Sequence, residues 1–574
     1  MSSPDGEADS KHQLISVAHG SAGLNNREIM PILVKRFPNP LLCLILVCAP
    51  LPAASEDTLF RQARENAARF DEMAGAMQRV LKAWLGVADP TTLLLPDRIP
   101  GGLRGLKADD TSRIYTPHNS GADLYPYLIL TAHLTDPDLY HGRMMEMLRN
   151  EIRYTTRVDS VPGNLPLPPG ELGPPSLFGA GEYAKDGLLA VTELLGRTPW
   201  YYRMVDMVAD AMKRAPVKSK FGNLPAADAE LNGDFLQALV RLSTMTGDRR
   251  FLEWTRRIAD AYIEEVLPGS HGVPSSKWDF DTHQGDGTLR LRDHGNETVV
   301  GLTLAYALEQ YLDSPRAPRY RQAVGRMLDR VLESANSDGM LYNSVDAATL
   351  KPSGPGLSDN WGYVYGAVYT FYQATGEEKY RDAVRRVLKA LPKYRNYDWE
   401  SGSFDGYADS IESAIYLVNR EPVPEALEWV ESEIRVMAAM QKPSGFLENW
   451  YGEGNFNRTL LLYILYKSQG CRPEHWTAGR GVGAVRDGEK LYLHVQSNGV
   501  VKFDFARHRR VLNFDKNYVR LNEFPEWYTV DENTLYRLAR READQGQIRL
   551  GSELIAGIPL DAGDWVIEPG RGTR

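Results

Sequence analysis

Four residues with chemically useful side chains stand together just before a long apolar stretch. Asp293, His294, Asn296 and Glu297 fall within five positions, and the following TVVGLTLAYALEQYL carries a single charge. Asp and Asn are favoured helix caps, so one polar residue here would need no special role. Glutamate is a weaker cap, and four such groups exceed what one helix start requires. The cluster therefore predicts a functional site at the mouth of a buried helix, with Glu297 as a catalytic carboxylate.

Similar polar groups open the other apolar stretches of the chain, at intervals of 46 to 63 residues. The markers are Asp123, Asp186, Asp234, Glu297, Asn360, Asp409 and Asn455. Three openings, SDNWGYVYG, DGYADSIES and ENWYGEGNFNR, combine carboxylates or amides with aromatic residues. The C–H faces of sugars pack on aromatic rings while their hydroxyl groups need acceptors, so this combination favours a carbohydrate ligand. The alternative is that the rings pack against loops and the polar residues only cap helices.

Two kinds of helix must position these residues. Segments such as DLYPYLILTAHL and TLLLYILYK are apolar around most of their circumference, which predicts burial on nearly all sides. Segments such as RRFLEWTRRIADAYIEEVL carry apolar residues at three- and four-residue spacing with charge between them, which predicts one face in water. Turns such as Thr246-Gly247-Asp248 join the two kinds. Two concentric rings of helices would satisfy both, whereas an open solenoid would expose the first kind.

The composition is that of a large globular protein. Of 574 residues, 43% are hydrophobic and 25% charged, and a net charge of −9 without a long Lys/Arg run gives no electrostatic footprint for nucleic acid. No Gly-rich phosphate loop, HExxH or CxxC pair is present, nor a GxSxG elbow between a strand and a helix. The sequence therefore predicts no cofactor, no catalytic metal and no nucleic-acid partner.

Residues 1–55 differ from the rest and are predicted to contain an export signal. Lys35 and Arg36 precede a short apolar run, and residues 53–55 form a small-residue cleavage site. The run is too short for a membrane span of ~20 residues. We expect an exported protein, periplasmic or extracellular, without a stable membrane span. A disordered tail with one hydrophobic patch is the alternative.

After Cys471 the pattern changes from helical to alternating. EKLYLHV and VVKFDF, on either side of Asn498-Gly499, predict a β-hairpin. Further strands are predicted in YVRLNE, TLYRLAR, QIRLGSE and DWVIEPG, which together indicate a small sandwich or sheet. The predicted domains are an N-terminal extension (1–55), a helical catalytic domain (56–471) and a C-terminal β domain (472–574).

The helix alternation, the turns MTGDRRFLEW and ATGEEKYRDA, and the openings SDNWGYVYG and ENWYGEGNFN together resemble the six-hairpin glycosidase superfamily. These are the (α/α) toroids of glycoside hydrolases and polysaccharide lyases. The resemblance covers about residues 110–470 and indicates no single family. It implies a mainly α fold, an (α/α)6 or (α/α)7 toroid followed by the small β domain. It also implies a substrate cleft at the rim where the inner helices begin.

Two reactions on an oligo- or polysaccharide fit such a rim. In hydrolysis, one carboxylic acid protonates the leaving oxygen and a second carboxylate activates water or attacks the sugar. The candidates for these roles are Asp234, Glu297, Asp359 and Asp409. In β-elimination from a uronide, His294 or Tyr363 would remove the C5 proton. The abundance of carboxylates favours hydrolysis, and a non-catalytic glycan-binding toroid is a third possibility.

Substrate binding is expected to use the remaining polar and aromatic residues of the openings. Trp and Tyr rings would stack on sugar faces, while amides and an arginine would hold hydroxyl or carboxylate groups. These candidates are His118, Asn119, Asn296, Asn360, Trp361, Trp450, Tyr451, Asn457 and Arg458.

Overall fold

The structure is a computed structural model that describes residues 55–570, except positions 111, 293, 294, 296, 542 and 544. The predicted export signal thus lies outside the described residues, apart from Ser55. Helices dominate the described chain up to about residue 470, and strands dominate after it. None of the described helices is both long and apolar enough to cross a bilayer.

Seven apolar helices within residues 55–570 form an inner ring. Each packs on the next, directly or through the π-helical turn Tyr183–Leu188, and the seventh packs back on the first. The seven are α2 (Tyr125–Thr135), α6 (Leu189–Leu195), α8 (Ala229–Thr246), α11 (Glu297–Tyr311), α13 (Trp361–Thr375), α15 (Phe404–Val418) and α17 (Glu453–Lys467). Their burial on nearly all sides is what their uniformly apolar sequences predict.

Amphipathic helices surround this ring and alternate with it along the chain. They are α1 (Glu56–Val87), α4 (Met145–Thr155), α7 (Pro199–Lys213), α9 (Arg249–Ala261), α12 (Ala317–Glu333), α14 (Glu378–Ala390) and α16 (Pro424–Ala439). Gly247 and Gly376 end α8 and α13 with φ of 69° and 74°, a left-handed conformation that favours glycine. The protein is an (α/α) toroid, and of the two predicted ring sizes the described chain has seven.

Short elements complete the helical region. The helices are α3 (Pro137–Leu139), α5 (Leu177–Glu182) and α10 (Leu267–Gly269). The strands are β1 (Arg113–Tyr115) paired with β2 (Leu165–Leu167), β3 (Trp278–Asp279) paired with β4 (Gln284–Gly285), and β5 (Thr288–Arg290) paired with β6 (Ser344–Asp346).

The C-terminal strands form two antiparallel sheets that share one core. They are β7 (Arg472–Pro473), β8 (Val482–Asp487), β9 (Lys490–Val495), β10 (Gly499–Lys502), β11 (Leu535–Arg540), β12 (Gln547–Leu550), β13 (Ile558–Leu560) and β14 (Gly563–Pro569), with short helices α18 (Arg507–Arg510) and α19 (Gly551–Ala556) between them. The sheet orders are β12-β11-β14-β9-β8 and β13-β10-β7. Leu493, Val501 and Ile567 belong to one buried cluster that joins the sheets. This is the predicted sandwich-like β region.

Two details of the predicted strands are wrong. β9 pairs with β8 and β14, and β10 pairs with β13 and β7, so Asn498-Gly499 does not turn a hairpin. The chain there crosses from one sheet to the other, and the hairpin turn lies at Gly488, where φ is 59°. YVRLNE, residues 518–523, is irregular, and its apolar side chains lie in the helical core. Alternating burial arises equally in a strand and in an irregular segment inserted into a core.

We call residues 507–528 the basal segment, because they cover the C-terminal ends of inner helices. A buried ion network fastens this segment to the toroid. Arg520 binds Glu193 and Glu523, each at 3.1 Å, and Arg420 binds Glu523 at 2.9 Å. All four side chains are almost fully buried. The C-terminal region is therefore anchored inside the toroid as well as against its side.

Replacing Arg520 with leucine should destabilise the protein by about 3–5 kcal/mol, because breaking a buried ion pair leaves charge that water cannot solvate. Urea unfolding measures the loss. The control is Arg510→Leu in the same segment, which removes an exposed arginine paired with exposed Glu532. Such surface pairs contribute about 0–1 kcal/mol. Equal losses in the two variants would contradict the anchoring role.

Candidate active site

The N-terminal ends of the inner helices enclose a polar cavity of about 150 Å³, which we call the bowl. Its lining residues come from six of the seven inner helices or from the turns before them. They are Arg104, Asp123, Lys185, Asp186, Glu297, Asn360, Tyr363, Glu400, Asp405, Asp409, Trp450, Tyr451, Asn455 and Arg458. Among these described residues, six carry carboxyl groups and three carry cationic groups. The bowl is therefore strongly acidic.

Seven of the candidates from the sequence line this cavity. They are Glu297, Tyr363, Asp409, Asn360, Trp450, Tyr451 and Arg458. His294 and Asn296 lie outside the described residues. The remaining candidates, Asp234, Asp359, His118, Asn119, Trp361 and Asn457, are not part of the lining.

Buried structural contacts account for several of the candidates outside the bowl. Trp361 is fully buried and donates a hydrogen bond to Ser410 Oγ at 3.0 Å. Asn457 is also fully buried and donates to Thr131 Oγ1 at 2.9 Å. These two residues hold neighbouring inner helices together, and their side chains are not part of the described lining of the bowl.

The other candidates outside the bowl lie in the surrounding rim. Asn119 donates to Asp97 Oδ2 at 2.8 Å, and the His118 ring packs on Phe178 with centroids 5.2 Å apart. Both residues precede α2 and stabilise the chain segment that leads into this helix. Their side chains contact Asp97 and Phe178 and are not part of the described lining of the bowl.

Lys185 organises one side of the bowl. Its Nζ lies 2.8 Å from Asp186 Oδ1, 2.9 Å from Glu297 Oε1 and 3.7 Å from Asp234 Oδ1. Burial alone would lower the pKa of Lys185, but the charges of Asp186 and Glu297 outweigh it and raise that pKa well above its ordinary value. Glu297 also accepts a hydrogen bond from Gln237. Asp234 and Glu297 thus act as counter-ions of a buried cation, which explains their burial without a catalytic role.

The sequence marks Asp123 and Asp186 as polar openings but predicts no contact with substrate for them or for Lys185. Asp123 lies in the π-helical turn Pro117–Leu124, and the other two lie in the turn Tyr183–Leu188. Wide turns of this kind are rare and concentrate at functional sites. The signal for Lys185 is the charged pair Lys185-Asp186 inside the otherwise apolar stretch YAKDGLLAV.

Arg458 organises the opposite side. Its guanidinium binds the carboxyl groups of Asp409 and Glu412. Asp409 also accepts hydrogen bonds from Asn360 Nδ2 at 2.8 Å and from the Tyr363 phenol at 3.3 Å. Three donors therefore orient the Asp409 carboxylate, of which 16% is exposed to the bowl.

The two neighbouring groups behind Asp409 favour their protonated forms. Burial raises the pKa of Glu412 to about 8, although the opposite charge of Arg458 lowers it. Burial also raises the pKa of Tyr363 well above its ordinary value, and its phenol donates to Glu412 Oε2 at 2.9 Å. Tyr363 is consequently a poor proton acceptor, which argues against its predicted use as the base of an elimination.

Asp405 lies one helical turn before Asp409 and on the same face of α15. Residues at this spacing have Cβ atoms about 5–6 Å apart. Burial raises the pKa of Asp405 well above its ordinary value, and the charges of Asp409 and Glu400 raise it further. Asn455 Nδ2 donates to Asp405 Oδ1 at 3.0 Å. The bowl therefore holds two neighbouring carboxyl groups, of which Asp405 favours its protonated form.

This arrangement can act as an acid–base site. A carboxyl group that favours its protonated form, beside a second carboxyl group, is a usual basis for assigning a proton donor and its partner. The sequence shows the i, i+4 spacing of Asp405 and Asp409 in DGYADSIES. It does not show which of the two side chains loses its solvation.

The rim above this pair is cross-linked by arginines. Glu400 binds Arg104 at 2.8 Å and Arg292 at 2.7 Å, and Arg292 lies 3.6 Å from Asp359. Glu400 has φ of 47°, a left-handed backbone conformation that is uncommon outside glycine and concentrates at functional sites. The Arg104 guanidinium lies 4.5 Å from the centre of the Trp450 ring. Asp359 thus supports the rim, and Trp450 presents a ring already covered by a cation.

Comparisons with solved structures found chains of low sequence identity and low TM-score. No protein-family model and no curated protein matches the chain. Among solved structures, it is similar to a glycoside hydrolase family 76 mannosidase from Bacteroides thetaiotaomicron, with 13% identity, a TM-score of 0.37, and coverage of 69% of this chain and 98% of the other. It is also similar to an unsaturated glucuronyl hydrolase from a Bacillus species, with 12% identity, a TM-score of 0.37, and coverage of 50% and 85%.

A third similar structure is the cellobiose 2-epimerase of Bacillus thermoamylovorans, with 11% identity, a TM-score of 0.39, and coverage of 56% of this chain and 87% of the other. All three belong to the six-hairpin glycosidase superfamily, which the sequence resembles. Their names describe hydrolysis in two cases and epimerisation in the third, so the reaction of this chain has to be inferred from its bowl.

The raised pKa of Glu412 should make stability depend on pH. The folded protein retains a proton on this group up to about pH 8, whereas the unfolded chain loses it near its ordinary value of 4.5. The folded state thus binds more protons in this window, so its free energy of unfolding should fall as pH rises from about 4.5 to about 8. Unfolding by urea at several pH values should show a shallower dependence in Glu412→Gln than in the parent protein. Identical slopes would contradict the assignment.

Proposed function

We propose that the protein is a carbohydrate-active enzyme, and specifically a glycoside hydrolase whose reaction takes place in the bowl. The observation that carries the proposal is the pair formed by Asp405 and Asp409. The surroundings of Asp405 raise its pKa and so favour its protonated form, and Asp409 is oriented by Arg458, Asn360 and Tyr363. Hydrolysis of a glycosidic bond needs one group of each kind.

In the proposed reaction, Asp405 donates its proton to the glycosidic oxygen as the bond from that oxygen to the anomeric carbon breaks. The Asp409 carboxylate attacks the anomeric carbon and forms a glycosyl–enzyme ester. The ionised Asp405 then takes a proton from water, whose oxygen displaces Asp409 from the sugar. Enzymes that retain anomeric configuration place their two carboxyl groups ~5–5.5 Å apart, and the four-residue spacing on α15 puts Asp405 and Asp409 on one face of the helix.

The substrate that best suits the bowl is an uncharged terminal sugar residue. The cavity of about 150 Å³ is smaller than the roughly 300–1,000 Å³ of sites for drug-sized ligands, and the basal segment closes the toroid below it. Six carboxyl groups against three cationic groups in the described lining disfavour an additional negative charge. The half-buried Tyr451 offers a ring for the sugar face. Removal of single sugars from a chain end follows from this shape.

Elimination from a uronide has less support. The Tyr363 phenol donates to a carboxyl group and has a raised pKa, so it would accept the C5 proton poorly. Lys185 and Arg458, which could have bound a uronate, are already paired with buried carboxyl groups. Export to the periplasm or beyond belongs to the proposal as well, on the sequence pattern of residues 30–55 alone.

Replacing each carboxylate by its amide should separate the two roles. Asp405→Asn should lower kcat by about 10²–10⁴-fold on a natural oligosaccharide, because general-acid assistance is lost. On an aryl glycoside with a good leaving group, which needs no proton, it should retain most of kcat/KM and release the aryl group in a burst. Turnover should stay slow, because the introduced amide cannot take the proton from water in the second step. Asp409→Asn should be inactive on both substrates, because the nucleophile is missing. Steady-state kinetics on a panel of oligosaccharides and aryl glycosides measures this.

The matched control is Asp329→Asn, which changes an exposed carboxylate of α12 paired with Lys379. It should leave both activities unchanged. If Asp405→Asn loses kcat/KM equally on the two kinds of substrate, Asp405 is not the proton donor.

Product analysis tests the substrate and the stereochemistry. We expect a single neutral monosaccharide to be released with its anomeric configuration retained, as followed by proton NMR during turnover. Uronic polysaccharides should be poor substrates, and their incubation should produce no unsaturated, ultraviolet-absorbing sugar. An unsaturated uronide product would instead establish the lyase reaction.

A further inference from the structure

The basal segment reaches the bowl through one side chain. Asn522 Nδ2 donates to Asp186 Oδ1 at 2.6 Å and lies 3.4 Å from the carbonyl oxygen of Lys185. Asn522 is 2% exposed and is not part of the lining, whereas Asp186 and Lys185 both face the cavity. A residue from the C-terminal part of the chain therefore contacts a wall of the proposed active site from behind.

The position of this amide is fixed by its neighbours in sequence. Asn522 has φ of 57°, a left-handed conformation that asparagine tolerates better than most residues. On either side, Arg520 and Glu523 are held in the buried ion network, and the carbonyl oxygen of Leu521 accepts a hydrogen bond from Arg241 at 2.8 Å. The segment thus has little freedom to move relative to the toroid.

A polar group at this depth is not required to close the toroid. Glycine would accept the left-handed backbone at this position without the cost of burying an amide, which is recovered only through hydrogen bonds. The side-chain amide of Asn522 donates its hydrogen bond to the carboxyl group of Asp186, which lies in the π-helical turn Tyr183–Leu188. The same Asp186 oxygen also binds Lys185 Nζ, so the amide and the ammonium group together set the direction of this carboxylate.

We propose that Asn522 is a positioning residue of the active site, and that the C-terminal β region contributes to substrate binding through it. Asn522 holds Asp186, and with it the Lys185 cluster, in the orientation that faces the substrate. The C-terminal region is then a functional part of the enzyme, and a toroid ending near residue 471 would have an incomplete bowl. The kinetic part of the test rests on the proposed hydrolase function, and the structural part does not.

The basal segment supplies a matched pair of asparagines for the test. Asn513 also has φ of 57°, but it is exposed and donates to the carbonyl oxygen of Thr244, at the C-terminal end of α8. Glycine suits this backbone conformation at both positions. Asn522→Gly should raise KM by about tenfold with a smaller change in kcat, since hydrogen bonds to charged groups contribute at this level. Asn513→Gly should leave both constants unchanged.

Asn522→Asp keeps the shape of the side chain but replaces its donor with a group that repels Asp186. Its KM should rise further than that of Asn522→Gly, and all kinetics should be measured well below each variant's midpoint of thermal unfolding. A normal KM in Asn522→Asp, or equal effects of the two glycine variants, would overturn the positioning role. Should Asn522→Asp not fold, the two glycine variants decide alone.

Crystal structures of the glycine variants provide a readout that needs no substrate. The Asp186 carboxyl should turn away from its present direction in Asn522→Gly and stay in place in Asn513→Gly. An unmoved Asp186 in Asn522→Gly would overturn the proposal even if the enzyme proves to be a hydrolase. A displaced Asp186 together with no turnover on any glycoside would support the positioning role while contradicting the proposed function.

Discussion

The starts of the inner helices meet at one rim only because the acidic groups that they bring are compensated there. Two buried cations, Lys185 and Arg458, provide most of this compensation by joining carboxyl groups from different helices. The compensation is incomplete. Burial and the charge of Asp234 raise the pKa of Glu182 well above its ordinary value, and burial raises that of Glu412. Protonation thus removes the charge that the cations cannot balance, since an isolated buried carboxylate is too costly.

The same shortage of cations explains why Asp405 favours its protonated form. Arg458 is oriented toward Asp409 and Glu412, while Asp405, one turn away, accepts a hydrogen bond from Asn455 and has two other carboxyl groups nearby. An amide can hold a carboxyl group in place without stabilising its negative charge as a guanidinium would. Asp405 and Asp409 therefore differ in their surroundings: an amide donates to Asp405, whereas a guanidinium binds Asp409. This difference requires no special property of the residues themselves.

Periodicity in the sequence was sufficient to predict the ring, because a helix that is apolar on all sides must be buried, and in a large fold it is buried at the centre. It also predicted that the polar openings would lie at one end of that ring. It did not predict which polar side chains face the cavity. Asp234 and Asp409 follow similar patterns, yet one lies behind Lys185 and the other faces the bowl. For Asp234 the distinction depends on Lys185, which lies in the π-helical turn Tyr183–Leu188 and pairs with that carboxyl group.

The strand predicted at residues 518–523 also shows that a sequence pattern does not reveal the surroundings of each side chain. Its alternation of apolar and polar residues has a physical cause, because Val519 and Leu521 pack into the helical core while Arg520 and Asn522 make the polar contacts between them. A pattern with a period of two records only that successive side chains have different surroundings. In a strand the second surrounding is usually water; here it is a buried network of charges that ends at the wall of the bowl. The polar half of the pattern was thus the more informative half, since arginine, asparagine and glutamate at full burial require partners that only the toroid can supply.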